Sequence, residues 1–225
     1  MKILAIDTSS NNLSIAISDD KGRVFEKNIY SEKKLSSLII PSINLMLKKT
    51  KTSLRSLDAL AVGLGPGSFT GLRIGVATIK ALALGAAKPV IGIPSLDILA
   101  RNVKADNLQI CPLLDAKRDR VYTCFYQNRN KHFKKLNDYL LIEIKDFFKK
   151  IKTRTVFLGD GLNIYKDLIK DKLGRKAYFA EDKLWRVRAG NLVILAKERI
   201  KNKKFDNPDK IVPLYLYPKE CQIKK

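Results

Sequence analysis

The chain has 225 residues, 45% of them apolar, which is enough to bury one sizeable core or two small ones in an ordinary globular protein. Cys111, Cys124 and Cys221 are odd in number and lack a C-x-x-C pair, and His132 is the single histidine, which excludes a disulfide framework, a structural zinc and a histidine-based dyad or metal cluster. The formal charge of +22 draws polyanions, of which nucleic acid is the commonest in the cytoplasm; a merely solvated lysine surface is the competing account.

The first residues alternate a short apolar run with Asp7 and lack the basic and long apolar regions of a signal peptide, so a cytoplasmic location is expected. Strands are predicted at Ile3 to Ile6, Leu13 to Ser18 and Arg23 to Tyr30, a β-meander closed by Asp19 to Gly22. A helical pattern runs from Glu32 to Thr50, with Pro41 as a kink or restart. Its apolar residues, Leu35 to Leu47, cover an arc of roughly 220°, about twice what packing on one sheet needs. One edge of that arc, Leu38 with Leu45 or Ile40 with Leu47, is expected to face the sheet and the other a second partner. A strand at Ala59 to Gly63, a helix from Gly71 to Ala86, a strand at Val90 to Ile93 and a helix from Ser95 to Val103 complete the order βββαβαβα. The longest apolar stretch, Ile74 to Ala87, is broken by Lys80 and is too short to cross a bilayer, so no membrane partner is expected.

The second half repeats the order more weakly. Strands are predicted at Gln109 to Leu114, Arg120 to Gln127 and around Tyr139 to Ile142, then a helix at Ile144 to Ile151, a strand at Thr155 to Leu158 and helices around Tyr165 and from Ala189 to Lys201. His132 is read as a solvated turn residue. Three antiparallel strands followed by βα crossovers form a mixed sheet with helices on its faces, so the fold class is α/β with two copies of one unit. The boundary falls near Asn102 to Leu108, giving domains 1–102 and 103–225. Residues 1–100 carry +6 and residues 101–225 carry +16, so the basic half is the candidate RNA contact, with Lys201, Lys203, Lys204 and the lysines at 224 and 225 as its first suspects.

Between Gly63 and Gly75 the chain reads Gly-Leu-Gly-Pro-Gly-Ser-Phe-Thr-Gly-Leu-Arg-Ile-Gly, a strand end, a tight turn and a helix start. Thr70 is the expected cap, Arg73 sits in the first turn, and free N–H groups at such a start can hold an anion. A Gly-rich connection between two buried elements is the equal alternative, since the segment fits neither the Walker nor the G-x-G-x-x-G formula.

Taken with Met1 to Ser10, Leu114 to Tyr122 (LDAKRDRVY), Gly159 to Gly161 and Pro213 to Leu216 (PLYL), this segment resembles the TsaB family of bacterial tRNA threonylcarbamoyladenosine biosynthesis proteins over essentially the whole chain. The resemblance implies two ribonuclease-H-like βββαβαβα halves, the fold of acetate and sugar kinases, heat-shock chaperone ATPases and actin. In that fold nucleotide phosphates are cradled by a turn after the first strand and another in the second half, here corresponding to Asp7, Thr8, Ser9 and Ser10 and to Gly159, Asp160 and Gly161; Gly65, Gly67 and Ser68 of the Gly-rich turn join them as weak nucleotide-binding candidates. Asp7 could hold hydrated magnesium, and Thr8 and Ser9 could donate to phosphate. An Asx-type turn at Asp7 to Ser10 and a strand-to-helix turn at Gly159 to Gly161 account for the same residues. No cofactor is required on this reading; ATP or ADP with magnesium would bind weakly.

In the family, a catalytic partner of the same fold transfers the threonylcarbamoyl group and holds its metal with a His-x-x-x-His pair. Here Leu35-Ser36-Ser37 stands where the family's own related segment usually reads His-Ser-Glu. The resemblance therefore implies a platform subunit with no catalytic or metal residues of its own. It would pair with the transferase through Leu35, Leu38, Ile39, Ile43, Met46, Ile74, Thr78 and Leu82, admit a small P-loop ATPase, meet tRNA through the complex, and form a homodimer when alone. A stand-alone ATPase or phosphotransferase of the kinase-like fold is the alternative.

Overall fold

The computed structural model describes residues 1–30, 35–129 and 132–217. The expected helix start at Glu32, Cys221 and the lysines at 224 and 225 lie outside the described residues. The chain divides into two compact units, Met1–Ile98 with Val187–Leu214, and Leu99–Arg186 with the segment from Tyr215.

In the first unit, β1 (Ile3–Asp7), β2 (Asn12–Ser18) and β3 (Val24–Tyr30) form the expected antiparallel meander, with Ala5 opposite Ala16 and Ala16 opposite Glu26. β4 (Ala59–Gly63) and β5 (Val90–Ile93) add in parallel, giving the order β3-β2-β1-β4-β5. β1 and β2 are buried at every position because helices cover both sheet faces. On one face α1 (Leu35–Lys49) and α2 (Phe69–Ala86) pack Ile39, Ile43, Met46, Val76, Ile79 and Ala83 against Leu4, Ile6, Leu13, Ile15 and Ile17. On the other, α6 (Ala189–Lys201) packs across the strands, and the backbone N–H of Ala189 donates to Ser14 Oγ at 2.7 Å. Glu26 on β3 holds the start of α6 by accepting from Arg188 Nη2 at 2.7 Å and from the Gly190 N–H at 3.1 Å. α3 (Ser95–Ala100) follows β5.

The second unit repeats the sheet order. β6 (Gln109–Asp115), β7 (Arg120–Thr123), β10 (Leu140–Glu143), β11 (Thr155–Leu158) and β12 (Ala177–Phe179) run β10-β7-β6-β11-β12, with β8 (Tyr126–Arg129) paired to β6 and to β9 (His132–Lys135). α4 (Ile144–Phe147) and α5 (Leu162–Leu173) are its helices. The α/β class and the two βββαβαβα-type halves are as expected. Four details differ. The predicted strand Arg120 to Gln127 is two strands, because Cys124 and Phe125 turn away, and Phe125 N–H bonds the Asn137 side chain at 2.8 Å. His132 opens β9 rather than lying in a turn. β12 was not expected, being three residues within a lysine-rich stretch. The chain leaves the first unit at Ile98 and returns at Val187, so α6, expected in the domain 103–225, belongs with the first unit.

α2 has 18 residues and is, by length and composition alone, apolar enough to cross a membrane, contrary to the expectation from Ile74 to Ala87. Leu72, Val76, Ile79 and Ala83 on it are buried against the sheet.

Candidate functional site

The Gly-rich segment forms a joint between β4, the start of α2 and the turn after β1. Glycines recur every four residues at the end of β4 (Gly63), in the turn (Gly67) and in the first turns of α2 (Gly71 and Gly75), and each meets the Asp7–Ser9 turn. A Cβ would strike the Asp7 carboxylate at Gly63, the Ser9 carbonyl at Gly67, the Thr8 carbonyl at Gly71 and the Thr8 hydroxyl at Gly75. Gly65, at φ +94°, makes the turn itself. Ser68, not Thr70, caps α2, its Oγ accepting from the Gly71 N–H at 3.2 Å, while the Ser68 N–H donates to the Ser9 carbonyl at 2.7 Å. The cap is Ser68 because the helix begins at Phe69, two residues earlier than the expected Gly71.

The polar groups of this joint are spent within it. Asp7 is 1% exposed; its Oδ1 accepts from the Ser9 N–H at 2.9 Å and Ser9 Oγ at 2.6 Å, and its Oδ2 from Ser95 Oγ at 2.7 Å. Ser95 Oγ in turn accepts from the Gly65 N–H at 3.0 Å, and Thr8 Oγ1 donates to the Gly71 carbonyl at 2.8 Å. Burial pushes the Asp7 carboxyl above the ordinary carboxylate range, against the lowering effect of the Ser9 and Ser95 bonds. A magnesium nucleotide does not fit these residues, because the carboxylate oxygens and the hydroxyls it would need already have partners, and the glycine clefts are filled by Thr8 and Ser9 themselves. Asp7, Thr8 and Ser9 form the Asx-type turn that was one reading of the sequence, and the fold brings Gly65, Gly67 and Ser68 to this joint. Ser95 was missed; its only sequence signal is a serine after Pro94 at a helix start.

In the second unit, Gly159 (φ +116°) turns the chain from β11 into α5, with the Gly161 N–H donating to the Leu113 carbonyl at 3.0 Å. Asp160 Oδ1 accepts from the Asp115 N–H at 3.1 Å. Burial raises the Asp160 carboxyl above its usual range, and the neighbouring Asp115 charge adds to this. Asp115 accepts from the Lys117 N–H at 2.9 Å and pairs with Lys117 Nζ, fixing a turn in which Lys117, Arg118 and Asp119 are all left-handed, with φ of 61°, 52° and 54°. Tyr217 Oη closes this turn by donating to the Ala116 carbonyl at 2.8 Å. The LDAKRDRVY stretch is therefore a braced hairpin turn between β6 and β7.

The outer surface of α1 and α2 is the other candidate. Ile39, Ile43 and Met46, expected on a partner face, are each 2% exposed and belong to the core. The buried centre of the α1 arc is flanked by both edges, with Leu38 and Leu47 half-buried, Leu45 50% exposed and Ile40 44% exposed, so neither edge alone faces the sheet. Leu35, Ile74, Thr78 and Leu82 are half-buried, and Leu84 is 57% exposed beside Ala77, Ala81 and Gly85. The result is a mixed surface of medium apolar and small side chains that packing helices use.

Residues 27–225 match the model of the TsaD family, described as tRNA N6-adenosine threonylcarbamoyltransferase. The chain is 32% identical over 227 residues to the tRNA threonylcarbamoyladenosine biosynthesis protein TsaB of Bacillus subtilis, covering 100% of this chain and 97% of that protein. It is 33% identical to the TsaB of Escherichia coli over 177 residues, 76% of each chain. Among solved structures, YeaZ from Pseudomonas aeruginosa superposes with a TM-score of 0.81 at 22% identity, over 96% of this chain and 99% of that one. The activator of 2-hydroxyisocaproyl-CoA dehydratase from Clostridium difficile, solved with bound ADPNP, shares the fold at a TM-score of 0.52 and 10% identity, over 92% of this chain and 100% of that one.

Proposed function

The chain belongs to the TsaB family of tRNA threonylcarbamoyladenosine biosynthesis proteins, and from that membership we propose that it serves as the non-catalytic platform subunit of the modifying complex. The open apolar surface of α1 and α2 carries this reading. Ile40, Leu45 and Leu84 stand clear of the core while Ile39, Ile43 and Met46 hold α1 to the sheet, so the helix pair can lose its solvent to a second protein without unfolding. The occupant is the catalytic transferase subunit of the same fold, whose matching helix pair completes a bundle, with a small P-loop ATPase docking on the assembly. Without that partner the same face joins two copies of this chain. A single histidine in 225 residues cannot supply a His-x-x-x-His metal pair, which suits a subunit that leaves the transfer to its partner.

The stand-alone phosphotransferase reading needs Asp7 turned toward a metal, and no observation favours it. The test is capture of partners from the source cell's lysate by the tagged full chain, with identification of what is bound. A transferase of the same fold and a P-loop ATPase are expected with the wild type and not with Ile40→Asp/Leu45→Asp, whose melting transition should be retained. Metal-dependent ATP turnover by the purified chain alone would overturn the platform reading.

A further inference from the structure

β6, β11 and β12 run parallel and begin level with one another, Thr155 pairing with both Gln109 and Ala177. The connections leading into them therefore end at one edge of the second sheet, with adjacent strand starts about 4.8 Å apart. They bring Lys104, Lys152, Arg154, Arg175 and Lys176 to that edge, and the last turn of α5 adds Lys172. All six side chains are exposed. The ion pairs of this unit, Lys117–Asp115, Arg120–Glu143, Lys145–Glu143, Lys149–Asp146 and Lys183–Glu181, involve none of them among the described residues. The acids nearby are Asp106, which accepts from Asn128 Nδ2 at 2.8 Å, and Asp171. Among the described residues, of the exposed large apolar side chains only Tyr178 belongs here, in β12 two residues beyond Lys176.

We propose that this edge of the second sheet is a contact surface for the tRNA backbone, so that the chain itself holds the RNA. Cations from the three separate connections into β6, β11 and β12, without a carboxylate partner among the described residues, offer a dense field to a polyanion. The absence of a buried apolar anchor sets the surface apart from a protein-binding hot spot and suits phosphate contacts, with the Tyr178 ring available to stack on an unpaired base. The proposal rests on the reading of the chain as a tRNA-modification protein and adds a direct contact to it.

The test uses the full chain and an in vitro transcribed tRNA, with affinity measured between about 50 and 200 mM salt. Arg154→Gln/Arg175→Gln/Lys176→Gln is compared with Lys201→Gln/Lys203→Gln/Lys204→Gln, which removes the same charge from the end of α6 in the first unit. The first triple should lower the salt slope by about 2 to 3, at 0.7 to 0.9 per lost phosphate contact, and the second by less than 1. Equal effects of the two triples, an unchanged slope in the first, or no tRNA binding by the wild type would overturn the proposal. So would binding to phosphatidylserine vesicles that the first triple abolishes while tRNA binding persists. Capture of the protein partner by the first triple should match the wild type. Failure of the platform reading would appear in that capture, and failure of the RNA contact in the salt slope.

Discussion

A single Cβ separates two kinds of glycine in α2. At Gly71 it would strike the Thr8 carbonyl, a backbone atom locked in the β1–β2 turn, whereas at Gly85 it would meet nothing within 4 Å. Gly71→Ala is expected to destabilise the protein by about 1–3 kcal/mol through overpacking. Gly85→Ala should stabilise it by up to about 1 kcal/mol, because glycine inside a helix is conformationally expensive. Urea melts of the two variants check this, and equal shifts would refute the packing account of the glycine repeat. Asp160 offers a pH-dependent counterpart. Its carboxyl is raised from the ordinary 3.8, chiefly by burial, so the folded chain holds this proton more tightly than the unfolded chain does. The stability it contributes is complete below about pH 4 and is lost as the pH rises through the raised value. Asn at this position keeps an oxygen for the Asp115 N–H without the charge. The stability of the wild type relative to Asp160→Asn should therefore fall as the pH rises above about 4 in urea melts; parallel curves would sink the assignment.

Among the elements, α1 shows what an over-wide apolar arc means. The 100° step orders side chains around a helix but supplies no origin, so the sequence could not say which part of the arc meets the sheet. The buried residues Ile39, Ile43 and Met46 occupy its centre, and Leu38 with Leu45 and Ile40 with Leu47 flank them. Ile39→Asp/Ile43→Asp should therefore abolish the cooperative melt, since buried unpaired carboxylates cost several kcal/mol. Ile40→Asp/Leu45→Asp, one residue from each edge, should keep it, and unfolding of that pair in the absence of partner would show the edges to be core. The strands were legible where burial is continuous, as in β1, β2 and β4, and illegible where pairing makes the strand. β12 is strand by virtue of its ladder with β11, Thr155 to Ala177 and Phe157 to Phe179, and three residues hold no periodicity to detect.

For the molecule as a whole, α6 decides what can fold alone. It covers the face of the first sheet opposite α1 and α2, tied by the Ser14 and Glu26 bonds, so a fragment 1–102 ending at the sequence-based boundary leaves that face bare. Such a fragment should lack a cooperative transition by circular dichroism, while a chain joining 1–98 to 187–214 through a flexible linker should show one. The residue types and order alone determined the α/β class, the doubled βββαβαβα plan, the family and the turns at Asp7 to Ser9 and at Gly63 to Gly67, because local periodicity and glycine punctuation record what a segment can become. The tertiary structure decided that Asp7 is a sealed hydrogen-bond hub held by Ser95, that α6 serves the first sheet, and that cations from separate segments meet at one sheet edge. Those facts depend on contacts between residues far apart in the chain, and an apolar helix stripe or a scattered set of lysines looks the same whichever surface it is carried to.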